Sequence, residues 1–186
     1  MKRRYYYLLA MAALAISLVY DKQMLTAITS YRTVELDFIF KAFSLLGTLI
    51  FIPLLAASAA IFYKRANGNI PAIWTSVGIA VVVTYAIKYL VNRDRPDFAN
   101  PLEKISSPSF PSAHSSASFA PVPSLHSNLK KLWILFAVFV AFSRAYLGVH
   151  YISDIIAGAI LGNAIGDLAA RVPFSKVKLL KRLRIA

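Results

Sequence analysis

The chain has 186 residues, of which 58% are apolar, 16% charged and none cysteine, with a mean hydropathy of +0.60 and a formal net charge of +13. A soluble domain averages about 45–50% apolar and about 25% charged residues, so a disordered chain, a coiled coil and an ordinary soluble nucleic-acid binder are excluded. The missing cysteines exclude disulfides, thiolate metal sites and cysteine nucleophiles. An uncharged run of about 18 or more apolar residues can cross a bilayer, and residues 42–63 and 66–87 each run for 22 without a charge. The chain reads as an integral membrane protein, and its positive charge as a matter of topology and anionic lipid.

In chain order, Met1-Lys2-Arg3-Arg4 before an apolar run imitates a signal peptide. The run continues to Tyr20 without a small-residue cleavage site, so residues 5–20 are expected to be a retained first span. Residues 21–41 mix polar and apolar positions and are expected to lie flat as an amphipathic interfacial helix. A second span is expected over 42–63, kinked by Pro53, then a basic turn at 64–69 and a third span over 70–87. Residues 92–111, with four prolines and three acids, form a surface loop. The fourth span, 112–125, is rich in small residues and broken by Pro121 and Pro123, so neighbouring helices must cover it. A turn at 128–131, a fifth span over 132–149, a sixth over 152–170 and a basic tail at 171–186 complete the chain. The expected fold is an all-α membrane bundle of six spans in one domain, without internal repeats.

Loop charge orients this bundle. With the N-terminus inside, residues 1–4, 64–69, 128–131 and 171–186 carry thirteen Lys/Arg and no acid. The opposite side holds seven of the eight acids, and Asp167 lies near the inner end of the sixth span. By the positive-inside rule both termini are expected to be cytoplasmic, in the cell's inner or plasma membrane. The basic tail is an inside anchor with a possible second role in binding anionic lipid.

The same topology brings seven polar residues to the outer boundary: Lys88, Arg95, Ser112, His114, Arg144, His150 and Asp154. Ionisable groups at membrane depth are costly and point to function. Three cations without a matching cluster of acids suit a multiply charged anion such as phosphate. Ser112 offers a hydroxyl, and Pro111 before it fits a helix start, where free N–H groups hold anions. His150 and Asp154, at i and i+4, share a helix face. There the carboxylate can take a proton from one imidazole nitrogen and leave the other as a nucleophile. His114 can protonate a leaving alkoxide.

Lys88-x6-Arg95-Pro96, Pro111-Ser112-Ala113-His114 and Ser143-Arg144-x5-His150-x3-Asp154 resemble the tripartite signature of the type 2 phosphatidic acid phosphatases (PAP2), with ten fixed positions in order. The six-span plan of small bacterial members extends the resemblance over the chain. One position departs: the family usually has Gly between Ser and His, where this chain has Ala113. The added methyl predicts a modest change of fit. The resemblance implies His150 as nucleophile, Asp154 as its orienter, and His114 as general acid and then base. Lys88, Arg95, Ser112, Ala113 and Arg144 would bind the phosphoryl group, with no metal and no cofactor. The implied partners are the bilayer and a phosphorylated lipid: undecaprenyl diphosphate, phosphatidylglycerophosphate, phosphatidic acid or lipid A 1-phosphate.

Duller readings stand beside these. Lys88 can be a snorkelling end-cap, Arg95 a solvated loop charge, and Arg144 with Asp154 a structural ion pair. His114, His150 and Asp154 are residue types that zinc accepts, although three neighbouring cations would repel it. His126, near the inner end, receives no role. A headgroup binder or transporter would use the same basic cluster without an ordered imidazole, and a vanadate-dependent haloperoxidase has a similar anion site on a large soluble protein.

Overall fold

The computed structural model describes residues 3–48, 54 and 70–174, and every regular element among them is helical. The helices are α1 (Arg3–Ser30), α2 (Val34–Leu46), α3 (Ile70–Val91), α4 (Ala113–Phe119), α5 (Ser127–Tyr146) and α6 (Ile152–Ala169), with short 3-10 turns at Asp97–Ala99 and Val122–Ser124. Three stretches, Tyr5–Ser30, Ile70–Val91 and Ile152–Ala169, are long and apolar enough to cross a bilayer. Leu9, Val19, Val82, Leu90 and Leu168 are exposed on them, as expected where lipid is the solvent.

The first boundary needs correction. The interfacial helix expected over 21–41 does not form as one unit, because α1 continues through Asp21 to Ser30 and a turn at 31–33 separates it from α2. Asp21 does not end the helix because its charge is met: Arg93 and Ser153 bond it, and it is buried. Thr33 then caps α2 by accepting from the Leu36 N–H, and Glu35 and Asp37 occupy the first turn, where the helix dipole favours them. Of the second span expected over 42–63, residues 42–46 belong to α2. Most of the rest, the turn at 64–69 and the tail beyond 174 lie outside the described residues.

The fourth span is shorter than expected. α4 has 7 residues, after which Pro121 opens the 3-10 turn. Ala113 and Ser115–Ser118 are buried, so neighbours enclose this helix. The turn expected at 128–131 is instead the start of α5, which ends at Tyr146. There the chain reverses through Gly148 (φ +73), where a side chain would also meet Arg32 and the Ala99 carbonyl.

Glycine spacing explains how α4 and α6 approach. Gly158, Gly162 and Gly166 recur every four residues along α6 and face the carbonyls of Ser112, Ser116 and Ala120. A methyl at any of them would strike α4 backbone. On its other side α4 packs on a core of Ile73, Val77 and Ala80 from α3 and Leu129, Trp133 and Ala137 from α5. Trp133 donates its indole N–H to the Ser118 carbonyl at 2.9 Å.

Helix directions follow from paired contacts. Asp21, late in α1, bonds Ser153 at the start of α6, whereas Tyr7, early in α1, lies 2.9 Å from Asp167 near the end of α6. The two helices are antiparallel. Lys88 in the last turn of α3 and Arg144 in the last turn of α5 join Asp154, in the first turn of α6, at the Asp21 level.

Candidate active site

All six helices, the 92–111 segment and the turn before α6 deliver side chains to that level. The geometry of His150 is the most informative. Its Nδ1 lies 3.2 Å from Asp154 Oδ2, and its Nε2 lies 3.3 Å from Arg95 Nη1. A guanidinium only donates, so Nε2 is the acceptor and the ring proton sits on Nδ1, donated to the carboxylate. The free lone pair is therefore on Nε2, facing a cation. Burial first, then the charges of Arg95, Arg144 and Lys88, hold the His150 imidazole well below its ordinary value of 6.5. It is the free base at neutral pH.

Asp154 is fixed on both oxygens. Oδ2 also accepts from the Tyr151 N–H at 3.0 Å, and Oδ1 accepts from Arg93 at 2.8 Å. The Arg144–Asp154 ion pair weighed from the sequence does not form. Arg144 instead bonds Glu103 Oε2 at 2.9 Å and the Ser44 hydroxyl. Its side chain is buried, and among the described residues its Nε has no hydrogen-bond partner.

Lys88 and Arg95 close on the 107–109 loop. Lys88 Nζ donates to the carbonyls of Pro108 (2.5 Å) and Ser109 (3.1 Å). It is 2% exposed, not a snorkelling end-cap. Arg95 donates to the carbonyls of Ser107 (2.7 Å) and Val149 (2.6 Å), so it is not a solvated loop charge either. Burial, with Arg144 nearby, lowers the Arg95 guanidinium to about 10. Ser112 caps α4, its hydroxyl 3.5 Å from the Ser115 N–H, while its own N–H reaches the Asp154 carbonyl at 2.9 Å. Ala113 follows it, buried. His114, two residues into the cap, feels Arg144, His150, Lys88 and Arg95 as its surrounding charges.

All seven residues expected at the outer boundary thus meet at one level of the bundle. Sequence reasoning missed four others: Asp21, Arg93, Glu103 and Ser44. Burial tends to lower the Arg93 guanidinium, but its bond to Asp21 and the charge of Asp154 outweigh that and raise it. The available signal was the cluster of cations itself, which at depth requires countercharges. Nothing in the local sequence says which acids supply them.

Residues 72–178, more than half of the chain, match the PAP2 superfamily. The lipid A 4'-phosphatase of Bacteroides thetaiotaomicron is 30% identical over 77% of this chain and 72% of its own length. The undecaprenyl-diphosphatase of Sulfolobus acidocaldarius is 35% identical over 63% of this chain, which spans just under two thirds (64%) of that protein. The crystal structure of the transmembrane PAP2 type phosphatidylglycerolphosphate phosphatase from Bacillus subtilis superposes with a TM-score of 0.72 at 26% identity, covering 93% of this chain and 94% of that one. The chain belongs to the PAP2 superfamily and to its membrane phosphatases.

Proposed function

We propose that this protein removes phosphate from a membrane lipid at the extracytoplasmic face through a phosphohistidine on Nε2 of His150. The observation that supports this best is the His150 geometry, with Nδ1 committed to Asp154 and Nε2 left as a lone pair beside Arg95. In the first step Nε2 attacks phosphorus, the P–O bond to the lipid breaks, and His114 gives its proton to the leaving oxygen. In the second, His114 takes a proton from water as that water attacks phosphorus. The P–N bond breaks, and phosphate and free imidazole are restored. Lys88, Arg95 and Arg144 stabilise the charge of the five-coordinate transition state, and the Nε of Arg144, unpaired among the described residues, is a buried donor suited to a phosphoryl oxygen. Ser112 and Ala113 line the phosphoryl site from the start of α4. Three cations in one pocket would repel a divalent ion, which supports a metal-independent reaction.

The relatives act, by their names, on lipid A, undecaprenyl diphosphate and phosphatidylglycerolphosphate. We take a phosphorylated lipid of this range, phosphatidic acid included, as the substrate class. Six spans with both termini cytoplasmic is the topology we favour. The test is phosphate release by purified protein from a panel of these lipids, with acid-quench trapping of labelled phosphoenzyme. Release with a trapped intermediate is expected. Saturable binding of the same lipids without release would identify a headgroup binder or transporter instead.

A further inference from the structure

Arg93 lies two residues before Arg95 in the sequence yet turns to the far side of Asp154. Its Nη1 donates to Asp154 Oδ1 at 2.8 Å and to the Ser153 hydroxyl at 2.7 Å, and its Nη2 donates to Asp21 Oδ2 at 2.9 Å. Its guanidinium carbon also sits 4.0 Å from the centre of the Tyr151 ring. Asp21 in turn accepts from the Ser153 N–H at 2.9 Å and from its hydroxyl. Asp154 is 0% exposed and Asp21 5%. One guanidinium therefore stands between two buried carboxylates, one of which orients His150.

We propose that Arg93 is a positioning residue for the phosphoryl-transfer reaction, holding Asp154 through Oδ1 and anchored for that task by Asp21 of α1. The inference rests on the reading of His150 as nucleophile. It brings α1 into the site, since Asp21 lies outside the family match at 72–178. A carboxylate free to rotate about its Cβ–Cγ bond would present Nδ1 with a varying acceptor. Arg93 on one oxygen and the Tyr151 N–H on the other remove that freedom. A planar, two-armed donor is needed to serve both acids, a task lysine cannot copy.

Charge makes the role measurable. The groups acting on His150 are Arg95 from the loop, Arg144 from α5 and Lys88 from α3, beside its partner Asp154. His114 faces it from α4, and Asp21 of α1 acts through Arg93. Removing the Arg93 charge leaves two uncompensated acids. If both stay ionised they favour imidazolium at His150, and if they take up a proton Asp154 no longer accepts properly from Nδ1. Both cases push the acid limb of the rate profile to higher pH.

The experiment compares Arg93→Gln, Asp21→Asn and the double variant with wild type and His150→Ala, on one lipid phosphate, as kcat, KM and the pH profile of kcat/KM. For Arg93→Gln we expect kcat to fall about tenfold or more, KM to change little, and the acid limb to rise by about one pH unit. Adding Asp21→Asn removes one surplus carboxylate and should return the limb towards wild type. An unchanged kcat, or a loss with an unmoved limb and additive damage in the double variant, would overturn the proposal. If Arg93→Gln does not fold, Asp21→Asn alone decides: it gives Arg93 wholly to Asp154 and should lower the acid limb, and an unmoved limb is again fatal. An active His150→Ala would strike at the phosphohistidine reading itself, a separate result.

Discussion

At the scale of single residues the two histidines are chemically unlike. His150 has its proton directed to Asp154 and its lone pair to Arg95, so His150→Ala should abolish turnover of every substrate. Among the described residues His114 has no such fixed partner, and its proposed task is to protonate a leaving oxygen. His114→Ala should cost about 10²–10⁴-fold on a lipid alkoxide and much less on p-nitrophenyl phosphate, whose leaving group needs no proton. Equal losses on both substrates would contradict the assignment. Asp154→Asn should give a partial loss. The pH dependence follows from burial and from the cations around His150, which hold its imidazole well below 6.5. With the free base as the proposed nucleophile, its protonation sets an acid limb at that depressed value, while loss of the His114 proton that the leaving oxygen needs sets a separate basic limb. The acid limb of the kcat/KM profile, which reports the free enzyme, should lie below 6.5. An acid limb centred at or above 6.5 would contradict it.

At the scale of helices, the site depends on how closely α4 meets α6. Gly162 faces the Ser116 backbone with no room for a methyl, whereas among the described residues nothing lies within 4 Å of a methyl at Gly78 on α3. Gly162→Ala should destabilise the protein by about 1–3 kcal/mol, because backbone cannot swing aside as a side chain can. It should also lower activity by parting His114 from His150. Gly78→Ala should be neutral or stabilising by up to about 1 kcal/mol. Thermal unfolding in one detergent tests the pair, and equal effects would remove the close-packing argument.

Helices are also where the sequence is read well and badly. α3 is legible because a long uncharged run has one solution in a bilayer, and α6, which carries Asp154 and Asp167, because the stretch between them is uncharged and the helix is apolar enough to cross. α4 is legible only through its Pro-Ser-Ala-His motif, since a short serine-rich helix buried among others has no hydropathy signal. The end of α1 is misread because Asp21 looks like a charge leaving the membrane. Its partners stand 72 and 132 residues away, so no local pattern shows that it is neutralised in place. Arg93 and Glu103 are hidden for the same reason. A residue's type and spacing are local, but the identity of its counterion is a property of the fold.

At the scale of the whole molecule, charge is sorted by level. Lys88, Arg95 and Arg144 gather at one end of the bundle, where burial and mutual repulsion are offset by backbone carbonyls and by Glu103. A site of that sign binds anions. Activity should therefore survive EDTA, and silencing by EDTA with recovery on Mg²⁺ or Zn²⁺ would contradict this. Vanadate, which adopts five-coordinate geometry, should inhibit at the same cations.

The same sorting predicts topology. Asp21 meets Ser153 at the site, and Tyr7 meets Asp167 at the other end, so the start of α1 and the end of α6 lie on the face opposite the site. The pure-basic segments 1–4, 64–69, 128–131 and 171–186 hold thirteen Lys/Arg and no acid. Residues 92–111, which carry Arg93, Arg95 and Glu103, border the site. Positive charge retards translocation while acids contribute little, so the basic face should be cytoplasmic and the site should open outside. Single reporters at residues 66, 100 and 186, read for cytoplasmic or external access in intact cells, test this. Residues 66 and 186 should report inside and residue 100 outside. Residues 66 and 100 on one face would mean that α3 does not cross. All three reversed would leave the bundle intact but put the phosphate-binding end in the cytoplasm, where it would act on the inner leaflet.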